Sequence, residues 1–521
     1  MSGVFDKKAD KANRREERTR KEIQEKKKVR LITVIVIIVF ALMLSGALFI
    51  NSRYVRRSLT AITIGGVDFT AAEFDYFYNS AVNEYTEYMN SQFGEYAASY
   101  TPATDRPHSS QVRDDETGET WADFFINYTI EQVSEQVKYY NAAKAAGFVM
   151  TSEDRESMES ELADFRMYAE MYGYPSLDSF LQAIFGVNMN ETVLRSVVEF
   201  INTGVSYGRH VFNSLVYSDE QIAEHYYGNR DNFDSFTYRY FLIMADNVVR
   251  EDFDTEEEYE EAEEAALAEA LAEADRIAVE IFSEDDYIAA AREFDEVEFG
   301  EPDSTLRTYP GSWLAGPYKD WMLDDGRQYG DVASIEATTG AYVIFFIERD
   351  PNEYRMVSMR QILILPEDIG PEMFVDGEES PAYPEALEFA DNVARERAEA
   401  VMALFIEGGA TEDALIELMA EHSDDPTEGG FYDLITKNSA NNKMVPEIEE
   451  WLFDPARQAG DYELIKTEAY GYHFVFFVEH GERYCDFLAK NAMTDNDFRE
   501  WTESLPDVDF EKRWAFMFTQ N

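Results

Sequence analysis

The 521-residue chain has one cysteine, Cys485, and six histidines. A single cysteine excludes an internal disulfide framework and any multi-cysteine zinc or iron–sulfur site. None lies near the N-terminus, where it could carry a lipid. Positive charge is also scarce. Against 104 Asp and Glu stand 45 Lys and Arg, a net of −59, and nucleic-acid binding needs clustered positive charge that this balance does not supply. There is no Gly-rich phosphate loop, no Gly-x-Ser-x-Gly and no His-Glu-x-x-His, so neither a cofactor nor a metal is expected. His473 and His480 could be imagined as metal ligands. Their spacing is odd, however, with His473 inside an apolar strand pattern and His480 at its end.

What the chain does have is enough apolar sequence, 45%, to build real cores. At about 150 residues per domain its length suggests three or four of them. The charge is unevenly spread. Residues 1–30 hold twelve Lys/Arg and six Asp/Glu, a net of +6, which leaves 33 basic and 98 acidic residues, a net of −65, for the rest. Between the two lies Leu31–Ile50, twenty residues without a charge, long enough to cross a hydrocarbon core as a helix. The run is longer than the apolar core of a signal peptide and lacks a clear cleavage site, so it reads as an uncleaved single-pass anchor. The heavier basic flank predicts a cytoplasmic tail (1–30), a transmembrane helix (31–50) and an extracytoplasmic remainder.

The external part opens with Thr70-Ala-Ala-Glu73, a capping box in which each end satisfies a backbone N–H of the other, followed by apolar residues at helical spacing. Helical patterns resume over Trp121–Gly147, Ser152–Tyr172, Leu177–Phe185 and Glu191–Leu215. Ser218-Asp-Glu-Gln221 is a second capping box. Residues 61–235 thus read as one mostly helical domain. From about 236 short β-rich runs appear, 236–244 and 342–348. Between them Tyr259, Ala262, Ala266, Ala270, Ala274, Ile277 and Ile281 mark one helix face. The opposite face is acidic, with thirteen Asp/Glu and no Lys or Arg over Glu251–Asp275, which reads as a solvated surface. The last stretch, 484–521, looks helical and carries Phe487, Phe498, Trp501, Phe510, Trp514 and Phe516, which need something to pack on.

The most informative pattern is an internal repeat. Trp321, Asp324, Arg327, Gln328, Gly330 and Asp331 recur as Trp451, Asp454, Arg457, Gln458, Gly460 and Asp461, and 340–348 resembles 471–479. The front ends correspond too, 238–243 with 359–364. Two tandem α+β modules follow, 236–350 and 354–483, so that the expected fold class is α+β and multidomain: an anchor helix, a helical domain, two modules and a C-terminal helical segment.

In the second module His422-Ser-Asp-Asp-Pro-Thr-Glu-Gly-Gly430 precedes Lys443-Met-Val-Pro446, Gly460-Asp461 and Tyr470-Gly-Tyr-His473. This order resembles the parvulin-type peptidyl-prolyl isomerase domain. The first module resembles a decayed copy, with Tyr240 and Tyr342 where the family has its two histidines. Residues 61–235, from the Ile64–Phe74 start, are similar to the helical chaperone domain of PrsA- and SurA-type foldases. The resemblance implies a catalytic set of Asp425 beside the twisting amide, Met444 and Phe453 lining a slot for the proline ring, and His473 in a buried network. It implies substrate contacts at Gln361, Tyr432 and Ile448. Gln361 falls where the family has its first histidine, and Ile448 where it has an aromatic. The implied clients are unfolded or nascent secreted polypeptides with X–Pro bonds, and the implied activity is their isomerisation. The alternative is a holding chaperone in which both modules only bind. The acidic connection 366–383 argues against phosphate recognition.

Overall fold

The computed structural model describes residues 26–28, 30–46, 49, 52–293, 304–368, 374–375, 378–379, 381–437 and 444–519. The basic tail up to Glu25, much of the 366–383 connection and Lys443 of the Lys-Met-Val-Pro motif lie outside the described residues. Among the described residues one helix, Lys26–Gly46, is long and apolar enough to cross a membrane. The remainder falls into two compact units, residues 1–215 with 497–521, and residues 216–496. The second unit therefore begins at Val216, twenty residues before the composition changes.

The first unit is a helical bundle with a small sheet. Its helices are Ala71–Phe93, Trp121–Ala145, Ser152–Met171, Leu177–Phe185 and Glu191–Ser214. Each starts where a side chain can take a free backbone N–H: Thr70, Thr120, Thr151 and Ser176 form capping boxes, and Asn190 caps the last. Their apolar stripes close on Phe74, Phe125, Val137 and Val197. The C-terminal stretch is not helical throughout. Its helix, Tyr484–Ser504, stops just before Leu505-Pro506, because proline lacks an N–H and pushes the preceding residue toward extended geometry. Beyond it Phe510–Lys512 form a strand that pairs with Thr60–Ile64, register Ile64 to Phe510, beside Val67–Thr70. Of the tail aromatics, Phe516 packs on Phe74 with ring centroids 5.1 Å apart and Trp501 on Tyr139 at 5.6 Å, whereas Phe510 and Trp514 remain exposed.

The second unit holds two four-stranded antiparallel sheets of one topology. In the first module the opening strand Ser235–Met244 lies between an edge strand, Leu306–Pro310, and the closing strand Gly340–Asp350, with Val332–Ala337 outermost. In the second the opening strand Arg355–Ile364 lies between Phe431–Ile435 and the closing strand Gly471–Arg483, with Tyr462–Thr467 outermost. Side chains alternate across each sheet. In the second module Tyr472, Phe474 and Phe476 bury against the helices Tyr383–Glu407 and Glu412–His422. Val475 and Phe477 bury on the other face, against the short helix Pro446–Leu452. His473 shares their parity and so their face.

The repeated residues build one turn twice. The guanidinium of Arg327 lies 3.9 Å from the centre of the Trp321 ring and donates to the Trp321 carbonyl; Arg457 does the same at Trp451, 3.8 Å. Asp331 and Asp461 accept from the backbone N–H of Gln328 and Gln458. The N–H of Gly330 and Gly460 donates to Phe346 and Phe477 of the closing strands. The strongest sequence match is thus a folding device that fixes the approach to each closing strand.

Candidate active site

The site of the second module is built from its opening strand outward. Ser423 and Asp424 tie the loop after the helix Glu412–His422 to that strand. The Asp424 N–H donates to the Leu363 carbonyl at 2.7 Å, and the Leu365 N–H donates to the Asp424 carboxylate at 2.9 Å. The Ser423 hydroxyl accepts from both Leu363 N–H and Asp425 N–H, 3.2 and 3.1 Å. This fastening brings Asp425 beside Gln361. The side-chain amide of Gln361 donates to Asp425 Oδ2 at 2.6 Å, and the Tyr432 hydroxyl donates to the same oxygen at 2.8 Å. Asp425 Oδ1 accepts from the Thr427 N–H at 2.9 Å, and the Thr427 and Tyr432 hydroxyls lie 3.0 Å apart.

The network fixes the protonation of His473. Because the Gln361 NH2 is spent on Asp425, its Oε1 faces His473 Nδ1, 2.9 Å away. An amide oxygen only accepts, so Nδ1 carries the proton and Nε2 is a bare acceptor. That Nε2 is buried and has no hydrogen-bond partner among the described residues. Burial pushes the His473 pKa down, against a smaller opposing pull from Asp425 and Glu447, which keeps the ring neutral. For Asp425, burial alone would raise the pKa. The bonds from the Thr427 N–H, Tyr432, the Thr427 hydroxyl and Gln361 outweigh it and hold the carboxyl below its ordinary range. Tyr432 is pushed up, first by burial.

These groups floor a cavity of ≈ 270 Å³ whose apolar wall is Met444, Val445, Ile448, Leu363 and Pro426, with Tyr470 at one side. Six of the seven residues read from the sequence line it: Gln361, Asp425, Tyr432, Met444, Ile448 and His473. Phe453 does not. It follows the short helix Pro446–Leu452, and its ring packs edge-on against Tyr354 with centroids 5.5 Å apart. Its side chain leaves the helix end away from the slot, so it serves the core behind Met444. Thr427, Ser423 and Val445 were not singled out from the sequence. For the two hydroxyls the signal was the Ser-Asp-Asp-Pro-Thr run, which does not tell a hydroxyl that holds a loop from one that faces solvent, and for Val445 it was the Lys-Met-Val-Pro run.

Solved structures that resemble the chain include three PrsA proteins. The peptidylprolyl isomerase PrsA from Bacillus anthracis is 11% identical over 51% of this chain and 87% of its own, with a TM-score of 0.21. That of Bacillus cereus is 13% identical over 62% and 96%, TM-score 0.22. PrsA from Bacillus subtilis is 10% identical over 59% and 91%, TM-score 0.14. At such values the likeness carries no argument about activity. No family model and no curated protein matches the chain.

The equivalent position in the first module is filled. Leu242 opposes Tyr342 there as Leu363 opposes His473 in the second, and Tyr318 occupies the repeat position of Ile448. The Tyr342 ring lies 5.2 Å from Tyr318 and 5.9 Å from Tyr240, and the Tyr318 hydroxyl bonds that of Tyr238 at 2.9 Å. Three tyrosines, with Tyr342 edge-on to the other two, therefore fill the place where the second module has its slot. If the slot of the second module isomerises X–Pro bonds, Tyr342→Ala should leave that activity within about twofold of wild type, since a change this small is under about 0.5 kcal/mol of barrier. Loss of that activity on altering Tyr342 alone would move the catalytic site to the first module.

Proposed function

We propose that the chain is a membrane-anchored extracytoplasmic foldase whose second α+β module isomerises X–Pro bonds in unfolded client polypeptides. The observation that carries this reading is the apolar slot of Met444 and Ile448 set over the Gln361–Asp425–Tyr432–His473 network. Rotation about an X–Pro bond faces a barrier of about 18–20 kcal/mol and takes tens to hundreds of seconds unaided. A slot that grips the ring and excludes water, beside a carboxylate that disfavours the polar resonance form, holds the twisted amide better than the planar one. His473, through its Nδ1–H on Gln361 Oε1, holds the Gln361 amide in the orientation that donates to Asp425. No step calls for a nucleophile.

The network has a consequence for pH. Gln361 does not titrate, whereas the histidine expected there would. The folded pKa values of His473 and Asp425 lie below their ordinary 6.5 and 3.8. Both groups are thus in working form, neutral imidazole and carboxylate, above 6.5. Activity should be flat from there upward and fall as the pH drops through the depressed values, whereas the stability tied to these groups falls between their ordinary and their depressed values, where the unfolded chain binds the proton and the folded one does not. A two-histidine site would show a bell instead. The experiment is an exchange-NMR rate for an Ala–Pro peptide against pH, repeated with Met444→Ala. That variant should lose about tenfold, consistent with about 1–3 kcal/mol for a weakened apolar contact, with unchanged melting. Wild-type rates at Met444→Ala would remove the slot from the mechanism and leave the holding reading.

A further inference from the structure

A cavity of ≈ 810 Å³ in the second unit lies away from the isomerase slot, between the two modules. One wall is the end of the first module's edge strand, with Tyr309, and the exposed Trp313 just beyond it. The other includes Lys437, two residues past the edge strand Phe431–Ile435, and Tyr484. Phe233 lines it as well. Trp313 is 71% exposed, although its ring lies 5.9 Å from that of Tyr309. The outer edge of Leu306–Pro310 has no partner strand among the described residues, and an unpaired edge is a template for an extended peptide.

The charge of the lining is out of keeping with the chain. Asp and Glu make up 104 of 521 residues, so the fifteen lining residues would average about three, from 15 × 104/521, yet they include none. Four smaller cavities among the described residues all carry carboxylates: Glu269 in one, Glu131 in another, Glu280 in a third and Asp425 in the isomerase slot. Asp231 and Asp234, next in sequence to the lining residues Asn232 and Ser235, are both paired with Arg349 at 2.6 Å, and Asp486, two residues past Tyr484, with Arg483 at 2.7 Å. Lys437, by contrast, makes no ion pair among the described residues. Its ammonium stands 4.9 Å from the centre of the Tyr354 ring, 5.6 Å from that of Phe453.

We infer that this groove is a second client-binding site, which takes an extended segment of an unfolded polypeptide presenting an aromatic side chain next to a carboxylate. The segment's backbone adds to the edge strand, its ring packs against Tyr309 and Trp313, and its carboxylate meets Lys437. The rest of the acidic exterior attracts basic segments, so the groove selects the opposite class. The inference is independent of the isomerase reading, because its probe contains no proline.

The probe is a fluorescent ten-residue, proline-free peptide with a central Tyr flanked by Asp, compared with its Lys-flanked twin, titrated against the full chain in nonionic detergent. The Asp peptide should bind at least about fivefold tighter than the Lys peptide. Trp313→Ala should weaken it about tenfold, the size of a hot-spot loss, and Lys437→Glu should reverse the order of the two peptides. Trp313 is exposed and its removal leaves the core intact, so a folding failure does not cloud the result. Equal binding of the two peptides, or binding unmoved by both substitutions, overturns the proposal. So does sedimentation showing a dimer that Trp313→Ala dissociates, which would make the occupant a second copy of this chain.

Discussion

Asp425→Asn should cost the chain on the order of a hundredfold in proline-isomerisation kcat/KM, the scale seen when one preorganised electrostatic group is removed from an active site. Asp425 Oδ2 accepts from Gln361 and Tyr432, and Oδ1 from the Thr427 N–H. An asparagine amide replaces one of those acceptors with a donor, so whichever way it faces a donor is stranded. Each stranded buried donor costs about 1–3 kcal/mol, and melting should fall accordingly. If Gln361 turns to give its carbonyl to the new NH2, its own NH2 faces His473, whose Nδ1 must then become the acceptor and Nε2 the protonated nitrogen. Imidazole 15N shifts report that exchange of tautomers. A variant with wild-type rate and an unchanged His473 tautomer would mean that the network does not govern the site.

Gly430→Ala should have the larger effect on folding. Gly430 sits at φ +47°, a left-handed conformation that costs an L-residue about 1–2 kcal/mol. A Cβ there would lie 1.9 Å from the Met419 methyl and 2.4 Å from the Gln361 carbonyl oxygen. The methionine can swing away, but the carbonyl belongs to the central opening strand, and relief requires the sheet to open at Gln361. Overpacking of this kind adds about 1–3 kcal/mol, for a total of roughly 2–5 kcal/mol with the left-handed term. The second module should therefore unfold well before the rest, with early proteolysis after the helix Tyr383–Glu407 and loss of isomerase activity. A melting curve superimposable on wild type would refute the close approach.

These two positions also show what was legible in the sequence. The structure brings the Gly-Gly pair and the Ser-Asp-Asp-Pro run together on the opening strand, and both were legible because their reason is local: a tight turn against a strand, and a loop fastened to it. Capping boxes at Thr70 and Ser218 were legible for the same reason. The repeat was legible because the arginine–tryptophan turn repeats residue for residue. Phe453 was not placed correctly, since the face on which a residue leaves the end of a seven-residue helix is set by the neighbours it packs on, here Tyr354. The strand Phe510–Lys512 escaped notice because its pattern is three exposed residues long, and it exists only through pairing with Thr60–Ile64 at the other end of the chain. The tyrosine cluster of the first module needed the register of two distant strands and a helix before Tyr318 could be seen beside Tyr342.

The most direct measurement is the cis–trans exchange rate of a short Ala–Pro peptide with catalytic amounts of the full chain in detergent. The rate should rise in proportion to chain concentration, and Ile448→Tyr, which puts into the second module's slot the residue type Tyr318 supplies in the first, should abolish the rise while the chain still melts cooperatively. An exchange rate that stays at its uncatalysed value at every chain concentration, with the same chain still holding unfolded clients, would contradict isomerisation by this pocket and leave a chaperone that only binds.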